Sequence, residues 1–399
     1  MILEKHTLRL GYIPLTDCLP LVVAKEQGFF AAENLTVDLC CEASWANIRD
    51  KLIVGHLDGA QMLAPMLLAA SLGIGGVRKP MFTAFALGLN GNAITVSNRL
   101  FANLRALSVR EARAAASAPA EPLDAVRALA LVVKQRRNAG LEPLVFATVF
   151  PFSSHNYLLR YWLAAGGIDP DRDVKLVALP PSQMVDNLRL EHIDGYCVGE
   201  PWNSCAVAMG LGRCLVTGYE IWQNAPEKVF GVTEQWHAEH PHAHAAILRA
   251  LDAAAAWIEN NLGSALQLLD RGHYVDVPVA WLAQSLTGEL RAGLEQTQRG
   301  PEHFHVFHRY QANFPWRSHA QWLLQQMSRW GQLPANIDTT AAAKQVYRAD
   351  LYREIFGATR PLPRDDEKNE GRHSAEWHAP GTTGEVLLGP DLFIDSVHD

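Results

Sequence analysis

The segment 150–155 combines residues that could bind a small anion. It reads Phe-Pro-Phe-Ser-Ser-His, at the end of a strand-like stretch and directly before a helix-like one. The first turn of a helix has backbone N–H groups without partners at the positive end of the helix dipole, and His155 adds an imidazole donor. Such a helix start can hold an anion without a phosphate loop. The alternative is a simple helix cap followed by a surface histidine.

Two other side chains could complete an anion site. Trp45 follows Ser44 at the start of another expected helix, where its flat ring or its N–H would suit a planar ligand, although the ring could equally belong to the core. Lys228 leads into an apolar stretch and could supply the positive charge that a desolvated monoanion requires. Glu227 beside it could instead pair with a neighbour. Together these residue types favour binding of a small oxyanion.

The patterns expected of common enzymes and metal sites are not found. Glu200 ends a strand-like stretch and could be a general base, but no partner carboxylate or nucleophile stands at an informative spacing, so we interpret it as a hinge or pocket-wall residue. The sequence contains no Walker glycine loop, G-x-S-x-G elbow or H-E-x-x-H motif. We interpret two histidine clusters as surface residues, because no cysteine or carboxylate set completes them: His237, His240, His242 and His244, then His303, His305 and His308. We therefore expect no catalytic residue, cofactor or metal.

These residues lie within a β-α-β-α-β pattern that occurs twice. The first copy has expected strands at 8–13, 35–40 and from 57, with helices at 19–30 and 45–54; the second has strands at 146–150, 174–178 and from 193, with helices at 155–165 and from 182. Ser44 and Ser182 stand where helix N-caps belong. Two such patterns predict two α/β lobes, each with a largely parallel sheet.

The topology places a ligand site before any family is considered. In open parallel sheets, ligands collect at the carboxyl ends of the strands, where loops meet helix starts. These ends fall at Thr16, 44–45, 153–155, 181–183 and 198–201. Outside the two copies, the residue pattern predicts helices at 105–140, 245–262, 280–294 and 319–330. Residues 360–383 are predicted to form an irregular tail.

Composition limits the partners and the compartment. The 399 residues carry a net charge of -7, which gives no general attraction to nucleic acid. The six cysteines lack metal-type spacing, and we expect mostly buried free thiols, which suit a reducing compartment. Residues 1–10 lead directly into a strand without a signal-like stretch, and no apolar run approaches a membrane span, so we expect a cytoplasmic protein.

Six segments together resemble the nitrate- and bicarbonate-binding proteins of bacterial ABC transporters. They are 10–17 (LGYIPLTD), 43–45 (ASW), 90–94 (NGNAI), 160–171 (RYWLAAGGIDPD), 199–202 (GEPW) and 314–319 (FPWRSH). The resemblance implies a type II periplasmic-binding-protein fold with the ligand between two lobes, 1–92 with 203–399 and 93–202. It also implies a ligand pocket built from Trp45, Asn92, His155, Pro181, Val198, Gly199 and Lys228. The transporter proteins usually carry glutamine at the position of Asn92, and asparagine can still donate from its NH2 group.

The expected location narrows the resemblance further. The transporter members are exported, whereas this chain resembles the cytoplasmic branch of the family, the NasS-like nitrate/nitrite sensors. That resemblance implies a protein that closes around nitrate or nitrite and thereby releases an RNA-binding partner, an ANTAR-type, NasT-like antiterminator. The alternatives are the substrate-binding component of a nitrate or bicarbonate transporter, and an enzyme of the pyrimidine-biosynthesis type on the same fold.

Overall fold

The computed structural model describes residues 3–115, 122–287, 291–298 and 304–396. The chain forms two units, each with its own five-stranded sheet. The first unit comprises Met1–Leu89, Pro226–Asp276 and Val306–Asp391. The second comprises Asn90–Ala225, Val277–His305 and Leu392–Asp399.

Strands and helices alternate through most of both units. The strands are β1 (Thr7–Tyr12), β2 (Thr36–Cys41), β3 (Gly59–Leu63), β4 (Met81–Ala86), β5 (Leu89–Asn90), β6 (Asn92–Ser97), β7 (Val145–Thr148), β8 (Lys175–Ala178), β9 (Gly195–Gly199), β10 (Gly212–Thr217), β11 (Lys228–Thr233), β12 (Arg291–Ala292), β13 (Thr297–Gln298), β14 (His305–Val306), β15 (Trp377–Pro380) and β16 (Glu385–Leu388). The helices are α1 (Leu19–Glu26), α2 (Phe29–Ala32), α3 (Trp45–Ile53), α4 (Ala64–Leu72), α5 (Asn98–Ala115), α6 (Pro122–Asn138), α7 (Ser154–Ala165), α8 (Met184–Arg189), α9 (Trp202–Ala208), α10 (Gly218–Ile221), α11 (Glu234–Glu239), α12 (Pro241–Asn260), α13 (Leu262–Arg271), α14 (Val279–Thr287), α15 (Arg317–Arg329), α16 (Thr339–Val346) and α17 (Ala349–Phe356).

The two large sheets have the same internal order. The first unit arranges its strands as β2-β1-β3-β11-β4, and the second arranges them as β8-β7-β9-β6-β10. In each sheet the first three strands are parallel, and the fourth runs antiparallel to both of its neighbours. The expected α/β fold with mostly parallel sheets is therefore confirmed, and the repeat read from the sequence corresponds to strands β1 to β3 and β7 to β9.

The antiparallel strand explains why the unit boundaries differ from those expected at 92/93 and 202/203. Strand β10 pairs with β6 from Gly212 to Thr217, so the segment after α9 belongs to the second sheet and not to the first unit. Only the next strand, β11, enters the first sheet, where it pairs with β3 and β4. The chain therefore returns to the first unit at Pro226.

Local sequence accounts for some of the element ends. Ser44 accepts a hydrogen bond from the N–H of Asn47 at 3.2 Å, which confirms it as the cap of α3. The expected helix 19–30 is divided into α1 and α2, because Gly28 adopts a left-handed φ of 76° between them. The expected cap at Ser182 is wrong: this serine lies inside a short 3-10 helix, and α8 starts after it without a side-chain cap.

Each sheet is covered by helices that bury apolar side chains against it. Strand β3 is buried at all five positions, and so is β9, as expected for central strands covered on both faces. Helix α4 is buried along nearly its whole length, whereas α3 buries only one side. Among the described residues, no helix combines the length and the apolar character needed to cross a membrane.

Candidate functional site

Lys228 lies buried in the first unit between two carboxylates. Its Nζ is 2.7 Å from Asp17 Oδ2 and makes an even shorter contact with Glu227 Oε1. The same Nζ lies 5.5 Å from the centre of the Trp45 ring, within the range of a cation–π contact. The structure therefore brings together two of the predicted site residues, Trp45 and Lys228. We call Asp17, Trp45, Gln61, Glu227 and Lys228 the Lys228 cluster.

The sheet order explains why these residues meet. Asp17 lies in the 3-10 turn that follows β1, and Trp45 is the first residue of α3, which follows β2. Lys228 is the first residue of β11 and pairs with Leu63, the last residue of β3. Because β1, β2 and β3 are parallel neighbours, all these positions lie at the carboxyl-end edge of the sheet. The sequence predicted this edge for Thr16 and Trp45 but not for Lys228.

Three members of the cluster were not predicted as site residues: Asp17, Gln61 and Glu227, the last of which the sequence offered only as a residue that could pair with a neighbour. Gln61 donates from Nε2 to Asp17 Oδ1 at 2.5 Å and accepts from the N–H of Ile13 at 2.9 Å, so it fixes the orientation of the Asp17 carboxyl. A glutamine in an otherwise apolar, fully buried strand was the available signal. Asp17 stands 44 positions away from Gln61, and the sequence contains no local sign of their pairing.

Burial and the attraction between Lys228 and its carboxylates shift the pKa values of the cluster in opposite directions. Burial raises the pKa of Asp17, although Lys228 acts to lower it. Burial alone would lower the pKa of Lys228, but the attraction of Asp17 and Glu227 outweighs burial and raises that pKa. Lys228 is therefore a protonated cation whose charge is already offset by nearby carboxylates. The expectation that its positive charge is available only to the anion is refined accordingly.

The first unit also contains buried donors that lack protein partners. Thr16 Oγ1 and Trp45 Nε1 are buried and have no hydrogen-bond partner among the residues that the structure describes. Thr16 directly precedes Asp17, and the Trp45 ring faces Lys228. Buried polar groups are nearly always hydrogen-bonded, so such groups indicate a place for a ligand or for water.

The second unit gathers the other five predicted residues at the equivalent edge of its own sheet. His155 lies in the first turn of α7, which follows β7, and Pro181 begins the 3-10 helix that follows β8. Val198 and Gly199 end β9, and Asn92 begins β6 in register with Gly199. We call these residues the second-unit edge. Asn92 in β6 and Lys228 in β11 occupy matching places in the two sheets, each being the first residue of the antiparallel strand.

The start of α7 has the form expected for an anion site. Ser153 Oγ accepts from the N–H of Asn156 at 3.0 Å and donates to the carbonyl of Phe150 at 2.7 Å. The predicted cap is therefore present, but the alternative of a surface histidine is wrong, because His155 is fully buried. A buried imidazole at the positive end of a helix can donate to an anion.

Glycine is required beside Asn92. Gly91 has a φ of 85°, and a Cβ built there would lie 2.3 Å from Cε1 of His305. This contact accounts for the sequence Asn90-Gly91-Asn92, and it places a buried histidine next to the second-unit edge. His305 was interpreted as a surface residue from its spacing, and that interpretation is wrong.

Glu200 follows Gly199 and is buried. Its Oε2 accepts from the N–H of Ser204 at 3.1 Å, while Oε1 has no hydrogen-bond partner among the described residues. Burial raises the pKa of Glu200 to about 7, with the hydrogen bonds from Ser204 acting in the opposite direction. Glu200 thus lies next to the second-unit edge, and its interpretation as a hinge or pocket-wall residue stays a prediction.

The remaining candidate histidines and cysteines lie partly in the core and partly at the surface. His244 is buried against His237 with their Nδ1 atoms 3.0 Å apart, so the surface interpretation is wrong for His244. Within the described ranges, no group of three or more histidine, cysteine or acidic side chains is arranged to hold a metal ion. The six cysteines are free thiols; four are buried, Cys40 is half-buried and Cys41 is exposed.

Comparison with known proteins gives a consistent group of relatives. The sequence model of the NMT1-like family matches residues 2–267. The nitrate import ATP-binding protein NrtC of Synechocystis sp. PCC 6803 is 40% identical over 356 residues, which are 88% of this chain and 50% of NrtC. The chain thus spans about half the length of that relative. The nitrate/nitrite binding protein NrtA of the same organism is 33% identical over 404 residues, covering 99% of this chain and 85% of NrtA.

A solved structure extends the similarity to the whole fold. The crystal structure of the periplasmic nitrate-binding protein NrtA from Synechocystis PCC 6803 superposes with a TM-score of 0.82 at 31% identity. The match covers 100% of this chain and 96% of that one. The two sheets with their covering helices thus form a periplasmic-binding-protein fold.

Proposed function

Because the chain belongs to the NMT1-like family and, within it, to the NrtA-like substrate-binding proteins, we propose that it binds nitrate or nitrite. The observation that carries the proposal is the buried ammonium of Lys228 in a unit with two buried donors, Thr16 Oγ1 and Trp45 Nε1, for which the described residues offer no hydrogen-bond partner. The Lys228 cluster is thus the proposed anion-binding group of the first unit.

The chemistry of these groups suits a small, weakly basic monoanion. Nitrate loses its water easily, so a few moderate donors and the ammonium of Lys228 are enough to hold it. Phosphate carries more charge and would demand more neutralisation than one lysine with two carboxylates provides. The flat ring of Trp45 offers a surface for a planar ion. The relatives are binding and transport proteins, and we propose no catalytic role for Glu200 or His155.

We further propose that this chain is a cytoplasmic, NasS-like sensor. The support is the resemblance of its sequence to that branch together with its six free thiols, which suit a reducing compartment. In this proposal an ANTAR-type, NasT-like antiterminator binds the ligand-free form, and nitrate or nitrite stabilises a second form that releases it. A ligand shifts such an equilibrium only if it binds the two forms with different affinities.

The competing function is transport. About half of NrtC corresponds to this chain, which supports a role as the substrate-binding part of a nitrate or bicarbonate transporter. One calorimetric experiment distinguishes the functions: nitrate is titrated into the chain alone and into the chain with the antiterminator. By linkage, a sensor must bind nitrate more weakly when the partner is present. Equal affinities would rule out the sensor and favour transport, and no heat of binding in either titration would rule out nitrate as the ligand.

A further inference from the structure

The Lys228 cluster contains more negative than positive charge. Asp17 and Glu227 both contact Lys228 Nζ, and all three side chains are buried. With both carboxylates ionised, one ammonium and two carboxylates leave a net charge of about -1 on the cluster, as follows from the ordinary charges of these groups. An anion that contacts Lys228 must therefore enter a region that is already negative.

Such an arrangement opposes a second negative charge. Like charges a few ångströms apart repel strongly where water is excluded, and burial further penalises an uncompensated charge. A proton on one carboxylate removes the excess negative charge, so the Lys228 cluster becomes neutral. The added anion then brings the total to about -1, which is the value that the ligand-free cluster had before.

We propose that the chain takes up one proton, held on the Asp17 carboxyl, for each nitrate or nitrite that it binds. The inference rests on the proposed function and concerns the same site. The proton comes from the solvent and forms an O–H bond on Asp17, with no change in oxidation state. Asp17 is thus a positioning and affinity-determining residue, since its protonation state fixes how much of the Lys228 charge the anion meets.

The surroundings of Asp17 explain why the proton is placed there. Its Oδ2 contacts Lys228, its Oδ1 accepts from Gln61, and burial already raises its pKa. Glu227 faces it as a like charge and raises that pKa further. Titratable groups near the pair include the thiol of Cys18, beside Asp17, and the phenol of Tyr347, near Glu227; burial raises the pKa of both.

The test is nitrate calorimetry on the full chain from about pH 5 to about pH 9. A bound anion raises the pKa of Asp17, so proton uptake occurs between the pKa of the free protein and that of the complex. In that window the affinity falls as pH rises, by up to about tenfold per pH unit for one proton. Two buffers with different protonation enthalpies must then give different apparent heats at the same pH.

The substitution Asp17→Asn removes the proton acceptor, and its nitrate affinity should not change with pH across the window. The matched control is Asp58→Asn, because Asp58 is another buried aspartate of the first unit that pairs with a lysine, Lys5, at 2.6 Å. This control should keep the wild-type slope. If Asp17→Asn does not fold, Glu227→Gln serves, since removing the like charge must move the window to lower pH.

The outcomes separate the two proposals. Nitrate binding with one affinity at every pH and one heat in both buffers overturns proton uptake and leaves the proposed function in place. A slope that persists unchanged in Asp17→Asn also overturns the assignment to Asp17. If the wild type gives no heat with nitrate or with nitrite at any pH, both the function and the inference are wrong.

Discussion

At the scale of single residues, the site depends on a charged side chain that is paired with oppositely charged neighbours. Lys228 was selected from the sequence for its charge, and the structure places it between Asp17 and Glu227. A buried ion pair contributes little net stability when it is complete, but losing one partner leaves an uncompensated charge. Lys228 therefore affects folding as well as ligand binding, and the two effects must be measured separately.

The variant Lys228→Ala should lower the free energy of unfolding by about 3–5 kcal/mol at neutral pH, because two carboxylates then remain buried without a cation. Burial already raises the pKa of Asp17, so the folded variant gains protons more readily than the unfolded chain as pH falls. The loss should thus be smaller near pH 5 than near pH 8. Urea denaturation at both pH values measures it.

A surface ion pair provides the control for that experiment. Arg127 pairs with Asp124 on α6 at 3.2 Å, and its side chain is 62% exposed. Arg127→Ala should change the free energy of unfolding by about 0–1 kcal/mol at either pH. A loss in Lys228→Ala that is no larger than this, or that is the same at both pH values, would contradict the description of Lys228 as the buried counter-ion of two carboxylates.

At the scale of helices and strands, the sequence predicts elements and their ends correctly where a local interaction or pattern determines them. Ser44 and Ser153 cap α3 and α7, and the apolar strand patterns identify β1 to β3 and β7 to β9. Ser182 shows the limit. Its residue type suits a cap, but Pro181 starts a 3-10 turn there, and the helix begins later. Residue type alone does not reveal this shift.

The caps give a matched test at this scale. Ser153→Ala removes the acceptor for the N–H of Asn156 and should cost about 1 kcal/mol in the free energy of unfolding. Ser182→Ala should cost almost nothing, because this exposed serine caps no helix. Denaturant melts of the two variants provide the comparison. Equal losses would mean that the cap at Ser153 does not stabilise α7.

At the scale of the whole molecule, the repeat could be predicted from the sequence, but the pairing of the fourth, antiparallel strand of each sheet could not. The two sheets share one order because the same β-α-β-α-β pattern builds the first three strands of each. The fourth strand of each sheet pairs antiparallel with its neighbours and comes from another part of the chain, and no short-range pattern encodes that pairing. Asp17, Gln61 and Lys228 are likewise brought together by long-range folding, which explains why only part of the cluster could be predicted from the sequence.

The central claim is that this chain binds nitrate or nitrite. The most direct measurement is a thermal-shift panel of nitrate, nitrite, bicarbonate and phosphate on the purified protein at one pH and ionic strength. A ligand that binds only the folded state raises the melting temperature, and more so the tighter it binds. We predict a concentration-dependent rise with nitrate or nitrite and none with phosphate. A response to bicarbonate alone, or to none of the four anions, would contradict the claim.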